Sequence, residues 1–209
     1  FMLAPFPYGG NPFTDGDPTK AAHVLNNSWG CPTIEGCDPD TLLPAANNLR
    51  NAGIFVVVST GNDGPMCETV ADPLSIYDSV FSVGAIDQLG NMGDFSSRGP
   101  VTADGSGRIK PDIVAPGVEI LSSTPNGTYA QFSGTSMAGP HVVGVVALIW
   151  SARPKLIGDI EATEQLLIDT AQPYAGDTSM GCFSGGTPNN AYGYGVVDVY
   201  AAVKKALGK

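Results

Sequence analysis

The sequence predicts an α/β protein with a mostly parallel, open sheet flanked by helices. Short runs of β-branched and aromatic residues, such as "IFVVVST" at residues 54–60, alternate with helical patterns and with turns rich in Gly and Pro. The runs are apolar throughout, as is typical of strands buried on both faces of a parallel sheet. Since crossovers between parallel strands are right-handed and usually helical, helices should cover the faces of the sheet.

The elements follow in a simple order along the chain. Apolar side chains at helical spacing in residues 40–53, ending at Gly53, predict a helix between the first two strands. The segment at residues 129–134 follows the other strands and could pair near the end of the series. The predicted strands lie within residues 21–29, 54–60, 79–86 and 112–123, and three further helices cover about 135–151, 157–170 and 198–208.

Length and charge limit the function. A chain of 209 residues predicts a single domain over residues 1–209. The net charge of -10, with only ten Lys and Arg residues, argues against nucleic acid and anionic membranes as partners, since both are bound through basic patches. The longest apolar stretch, residues 142–150, is far shorter than the roughly 20 residues that span a bilayer. We therefore predict a buried helix there.

Four cysteines indicate disulfides. Cys31, Cys37, Cys67 and Cys182 form no C-x-x-C pair, so disulfides in an extracellular, secreted protein are favoured over a zinc site. Three pairings are open. We favour Cys31 with Cys37, which closes a short surface loop, and this leaves Cys67 with Cys182.

A serine opens the most apolar helix of the chain. In "FSGTSMAGPHVVGVVALIW", residues 132–150, Ser136 lies at the predicted N-terminus, where backbone N–H groups without intrahelical partners can stabilise an oxyanion. The tripeptide alone fits an ordinary helix cap equally well. The G-x-S-x-G elbow of α/β-hydrolases is excluded, because Gly139 comes one position too late.

Several ordered motifs carry a family resemblance. "GTSMAGPH" at residues 134–141 resembles the nucleophile motif of the subtilisin family of serine peptidases. Upstream, "VLNNSWG" (24–30) is similar to the family's P1-pocket segment, and "VVVSTGNDG" (56–64) to the segment with its oxyanion asparagine. "VFSVGAID", "FSSRGP" and "KPDIVAPGVEI" match further stretches, so the resemblance covers about residues 20–205.

The resemblance implies roles for individual residues. Ser136 would be the nucleophile of a serine endopeptidase, and the Asn62 side-chain amide with the backbone N–H of Ser136 would hold the oxyanion. An extended peptide or protein substrate would pair as an added strand. Without the resemblance, Asn62 is interpreted as a turn residue and Trp29 as a core aromatic. Trp29 replaces the leucine that is usual in the family, so the size of the pocket stays open. The residues implied to flank the P1 side chain are Ser28, Trp29, Gly30, Ser59, Thr60 and Gly61.

The resemblance also requires a general base that the motifs do not supply. His141 lies five residues after Ser136, about 140° around a helix axis, and His23 is interpreted as structural. The family's Asp-x-Gly and His-Gly-Thr-His motifs would precede Phe1. We therefore expect the C-terminal part of a catalytic domain, without its N-terminal strands and inactive alone. The alternative is a non-catalytic module that binds peptides or serves as scaffold.

Two expectations on partners and cofactors follow. An incomplete sheet would expose the strand near residues 21–28, which predicts self-association or binding of the missing N-terminal part of the same domain. The chemistry needs no cofactor, and we assign no metal ligands. The resemblance allows a structural calcium ion, but the loop acids have no EF-hand spacing and are better explained as turn residues. These acids are Asp15, Asp17, Glu35, Asp38 and Asp40.

Overall fold

The computed structural model describes residues 1–174, 182 and 186–209, and it confirms the predicted α/β class. Four parallel strands form one sheet in the order β1-β2-β3-β4, and β5 and β6 form a separate antiparallel hairpin. The strands are β1 (Val24–Asn27), β2 (Phe55–Ser59), β3 (Phe81–Ile86), β4 (Ile113–Pro116), β5 (Ile120–Thr124) and β6 (Thr128–Phe132). The helices are α1 (Leu43–Asn51), α2 (Thr135–Ala152), α3 (Ile160–Thr170) and α4 (Val199–Ala206).

Strand β2 is buried on both faces, as its apolar run predicts. Its side chains alternate between two cores, because successive residues of a strand point to opposite faces. Phe55 and Val57 pack in the core that contains α2, α3 and α4, whereas Val56 and Val58 pack in the core that contains α1. The sheet is therefore the middle of three layers.

Helix α2 is the central helix of the larger core. It contacts all four strands of the parallel sheet, and Trp150 near its end donates a hydrogen bond of 2.9 Å from Nε1 to Thr163 Oγ1 of α3. By length and composition α2 could cross a membrane, but its contacts with the sheet are those of a core helix. The prediction of a buried helix is confirmed on this face, although Leu148 on the other face is 54% exposed.

Local hydrogen bonds set the element bounds that differ from the predicted ones. Helix α3 begins three residues later than predicted, because Asp159 caps it by accepting from Ala162 N at 3.1 Å. Before it, Pro154–Leu156 form a short 3-10 turn. Both favoured disulfides are present, Cys31–Cys37 with Cα atoms 5.7 Å apart and Cys67–Cys182 with Cα atoms 5.5 Å apart.

Strand β1 is the edge strand of the sheet. It pairs with β2 on one side, and no other strand of the described residues pairs with its outer side. Three of its four residues are partly buried and Asn26 is exposed, whereas every residue of β2 is buried. Self-association through this edge stays a prediction.

Candidate active site

The predicted site residues meet at the carboxyl ends of β1 and β2, where a parallel sheet usually binds its ligand. Ser136 lies in the first turn of α2, whose N-terminus faces these strand ends. One open cleft of about 100 Å³ is lined by all of the residues that the sequence indicates: Ser28, Trp29, Gly30, Ser59, Thr60, Gly61, Asn62 and Ser136.

Asn62 is oriented by the residue next to the serine. Its Oδ1 accepts a hydrogen bond of 2.9 Å from the backbone N–H of Thr135, and Thr135 Oγ1 lies 3.0 Å from the same oxygen. These contacts identify the other end of the amide as Nδ2, which lies 3.8 Å from the place that a Cβ on Gly134 would occupy. Within the part of the chain that the structure describes, Nδ2 makes no hydrogen bond, so its N–H₂ group can donate to a ligand beside the start of α2.

The carbonyl of Ser136 is held by a hydroxyl from β1. Pro140 has no N–H, so the usual intrahelical hydrogen bond to the carbonyl of Ser136 cannot form. Ser28 Oγ donates to that carbonyl instead, at 3.2 Å, and itself accepts from Asn26 Nδ2 at 2.9 Å. The proline and the end of β1 together fix the first turn of α2.

Backbone shape defines the far wall of the cleft. Gly61 has φ +106°, and a Cβ there would lie 2.8 Å from Ser97 Oγ, so glycine is required for both reasons. Thr60 is buried, and its Oγ1 donates a hydrogen bond of 3.3 Å to the carbonyl of Val83. Trp29 is 51% exposed at the cleft, so it is not a core aromatic.

Four further residues line the cleft that sequence analysis did not identify: Asp63, Thr69, Asp72 and Ser75. Burial raises the pKa of the Asp72 carboxyl, and the nearby carboxylates of Asp63 and Glu35 raise it further. No periodic pattern or motif marks Asp72 in the sequence. Only its position opposite Gly30 in the folded chain reveals it.

The two histidines of the chain contact other groups, although His141 lines a second open cavity together with Ser136. His141 Nδ1 is 2.9 Å from Met137 O of its own helix, and the His23 ring packs edge-on against Trp150 at 6.5 Å. Within the described residues, no hydrogen bond joins Ser136 Oγ to either imidazole. The structural role of His23 stays a prediction, and the expectation that His141 is not the base rests on its position along α2.

The loop carboxylates hold turns. Asp15 accepts from Asn11 N at 2.8 Å, and Asp17 accepts from Thr19 N at 3.0 Å. Among residues 1–174, 182 and 186–209, no group of three or more His, Cys, Asp or Glu side chains is placed to hold a metal ion.

Comparisons with known proteins find similar sequences among bacterial proteins. Bacillopeptidase F of Bacillus subtilis (strain 168) is 39% identical over 219 aligned positions, which cover 100% of this chain and 14% of that protein. Subtilisin BL of Lederbergia lenta is 35% identical over 182 residues, which cover 87% of this chain and 56% of that protein. The chain thus spans little more than half the length of one of these curated relatives, and much less of the other.

A solved structure shares the fold. That of the prenylagaramide maturation protease PagA superposes with a TM-score of 0.69 at 30% identity, over 90% of this chain and 63% of that chain. The sequence model described as "Subtilase family" matches residues 14–195. A family match over most of the chain, with the serine motif, the asparagine and the cleft in one place, shows that the chain belongs to the subtilase family of serine peptidases.

Proposed function

We propose that this chain carries the nucleophile, the oxyanion hole and the P1 pocket of a subtilisin-type serine endopeptidase. The observation that supports this most directly is that Asn62, anchored through Oδ1 to Thr135, lines the same cleft as Ser136. Ser136 Oγ would attack the scissile carbonyl and form an acyl-enzyme as the amine leaves. Water would then hydrolyse the ester and restore the serine.

The oxyanion would be held by two donors. The Asn62 Nδ2 amide and the backbone N–H of Ser136 would donate to the negative oxygen of the tetrahedral intermediate. Both are neutral groups that are oriented before the substrate arrives, so no reorganisation is needed as charge develops.

The general base and its orienting acid would come from a segment of the gene product beyond these 209 residues. A serine hydroxyl is a weak nucleophile without a base, and within the described residues neither histidine is hydrogen-bonded to Ser136 Oγ. We therefore expect the isolated chain to be inactive by the triad route. The two disulfides support an extracellular location for the protein, since such bonds persist in oxidising compartments.

A non-catalytic peptide-binding module is the second candidate. It is favoured by the free state of Ser136 Oγ, which makes no hydrogen bond within the described part of the chain. In that case, the strand ends and the cleft would bind an extended peptide without cleaving it.

Labelling with a fluorophosphonate separates the two candidates, because the reagent reacts only with an activated serine. We expect the complete gene product to be labelled at Ser136, and the Ser136→Ala variant to be neither labelled nor active on peptides. Binding of a peptide without labelling or hydrolysis would favour the non-catalytic module and reject the peptidase.

The Asn62→Ala variant tests the oxyanion hole. We expect kcat to fall by about 10²- to 10³-fold, the effect that loss of such a donor has in subtilisin, with little change in KM. Asn48→Ala is the matched control, since Asn48 is exposed on α1. An unchanged kcat in Asn62→Ala would exclude this role for the amide.

A further inference from the structure

The cleft beside Ser136 is acidic. Its lining contains two carboxylates, Asp63 and Asp72, and no Lys, Arg or His among the described residues that form it. The remaining lining residues are neutral, and most of them present hydroxyl or backbone groups. A side chain that enters this cleft therefore meets negative charge.

Asp72 is held at the wall of the cleft by its backbone. The carbonyl of Asp72 accepts from Ser75 Oγ at 2.7 Å, and Cys31 N donates to the next carbonyl, that of Pro73, at 3.0 Å. A Cβ on Gly30 would lie 2.9 Å from Asp72 Oδ2, so the carboxylate occupies the space above the bare backbone of Gly30. Gly30 lines the cleft as well.

The carboxylate of Asp72 has no counterion in the described part of the chain. No hydrogen bond or ion pair to its Oδ atoms is found there, and its electrostatic neighbours are the carboxylates of Asp63 and Glu35. Burial and these like charges raise its pKa, which means that the ionised form is destabilised. A cation that binds beside Asp72 would remove this penalty.

Lysine and arginine side chains suit such a cleft. Each has an apolar stem and a charged end, and a guanidinium or ammonium group forms strong, charge-assisted hydrogen bonds with a carboxylate. Trp29, half exposed at the same cleft, offers aromatic surface to the stem or the cation.

We infer that the cleft selects a lysine or arginine at P1 of the substrate, and that Asp72 is the residue that determines this specificity. The inference rests on the proposed peptidase function, because it identifies the side chain bound next to the bond that Ser136 would attack. The carboxylate pairs with the substrate cation directly, without a bound metal ion.

The test uses the complete gene product and peptides that differ only at P1, with Arg, Lys, norleucine or Glu there. Hydrogen bonds to charged groups correspond to a preference of about 10- to 100-fold in kcat/KM for Arg and Lys over norleucine. Norleucine matches the lysine stem but has no charge. Glu should be the poorest of the four. EDTA should leave the preference unchanged.

Variants then assign the preference to one carboxylate. Asp72→Asn should reduce the ratio of kcat/KM for Arg over norleucine by about 10- to 100-fold, and Asp72→Lys should favour Glu at P1. Glu161→Gln, the same charge change at an exposed position in the first turn of α3, should leave the ratio as it is.

The possible failures are distinguishable. If the wild type cleaves norleucine or Glu peptides as well as Arg peptides, the specificity is wrong while the peptidase function stands. A preference that disappears with EDTA, or that survives in Asp72→Asn, overturns direct pairing with Asp72. If no peptide is cleaved and Ser136 is not labelled, both proposals fall.

Discussion

Replacing Lys110 by methionine should strongly destabilise the fold. The Lys110 side chain is 2% exposed, and its Nζ donates to Asp112 Oδ2 at 2.7 Å and to Val80 O at 3.0 Å. Asp112 Oδ2 also accepts from the backbone N and Oγ of Ser82 on β3, at 2.6 and 2.9 Å. The ammonium group thus links the residues just before β4 to Val80, just before β3, and Asp112 extends this link to Ser82.

The expected cost follows from what Lys110→Met leaves behind. Removing one partner of a buried ion pair costs about 3–5 kcal/mol, because the other charge loses its compensation. Asp112 is 21% exposed and keeps both Ser82 donors, which favours the lower end of that range. We therefore expect a loss of about 3 kcal/mol, or about 6 °C in Tm for a domain of this size or larger.

Thermal unfolding of the complete gene product in a Ser136→Ala background measures this effect without self-digestion. A double-mutant cycle with Asp112→Asn isolates the pair, and we expect a coupling of about 1–2 kcal/mol between the two positions. Lys155→Met, at an exposed lysine of the turn before α3, is the control. A Tm change below about 1 °C in Lys110→Met, or additive effects in the cycle, would refute the reasoning.

Three further predictions concern the cleft and the disulfides. The pKa of Asp72 is raised by burial and by two neighbouring carboxylates, so its charge is lost as the pH falls through that raised pKa. The Arg over norleucine ratio should fall with the charge, and a ratio that stays constant down to the ordinary aspartate pKa of 3.8 would contradict this. Gly30→Ala should also reduce the ratio of kcat/KM for Arg over norleucine in steady-state assays, since the new Cβ would displace the Asp72 carboxylate. Gly144→Ala is the control and should leave the ratio unchanged, because a Cβ there meets nothing within 4 Å. Loss of the Cys67–Cys182 disulfide, which closes a separation of 115 residues, should lower the free energy of unfolding by about 5 kcal/mol in denaturant titrations. Loss of the Cys31–Cys37 disulfide should lower it by only about 2 kcal/mol, because the shorter loop restricts the unfolded chain less. Equal losses would contradict this reasoning.

The fold could be predicted from the sequence because its strands are buried in a simple way. β2 and β3 are buried at every position, so they appear as short apolar runs between Gly and Pro turns. The bounds of the elements depend on side-chain hydrogen bonds that no periodicity shows. Asp159 and Asp198 decide where α3 and α4 begin, by accepting from Ala162 N and Ala201 N.

The candidate site could be predicted only where neighbouring residues in the sequence form a motif. Ser136 and Asn62 belong to such motifs, and both line the cleft. Asp72 belongs to none, and it reaches the cleft because a backbone hydrogen bond from Cys31 to Pro73 brings its loop against the end of β1. A long-range contact of this kind has no signal in a single sequence.

The residues that would break the peptide bond are held by different contacts from the residue that would recognise the charge of the substrate. The groups that hold Ser136 and the oxyanion donor are neutral. The N–H of Thr135 donates to Asn62, and the hydroxyl of Ser28 donates to the carbonyl of Ser136, which Pro140 leaves without its usual helical partner. None of these hydrogen bonds involves Asp72. A charge change at Asp72 should therefore alter which side chain is accepted more than how fast an accepted bond is broken. If Asp72→Asn lowered kcat equally for every P1 residue, this separation would be wrong.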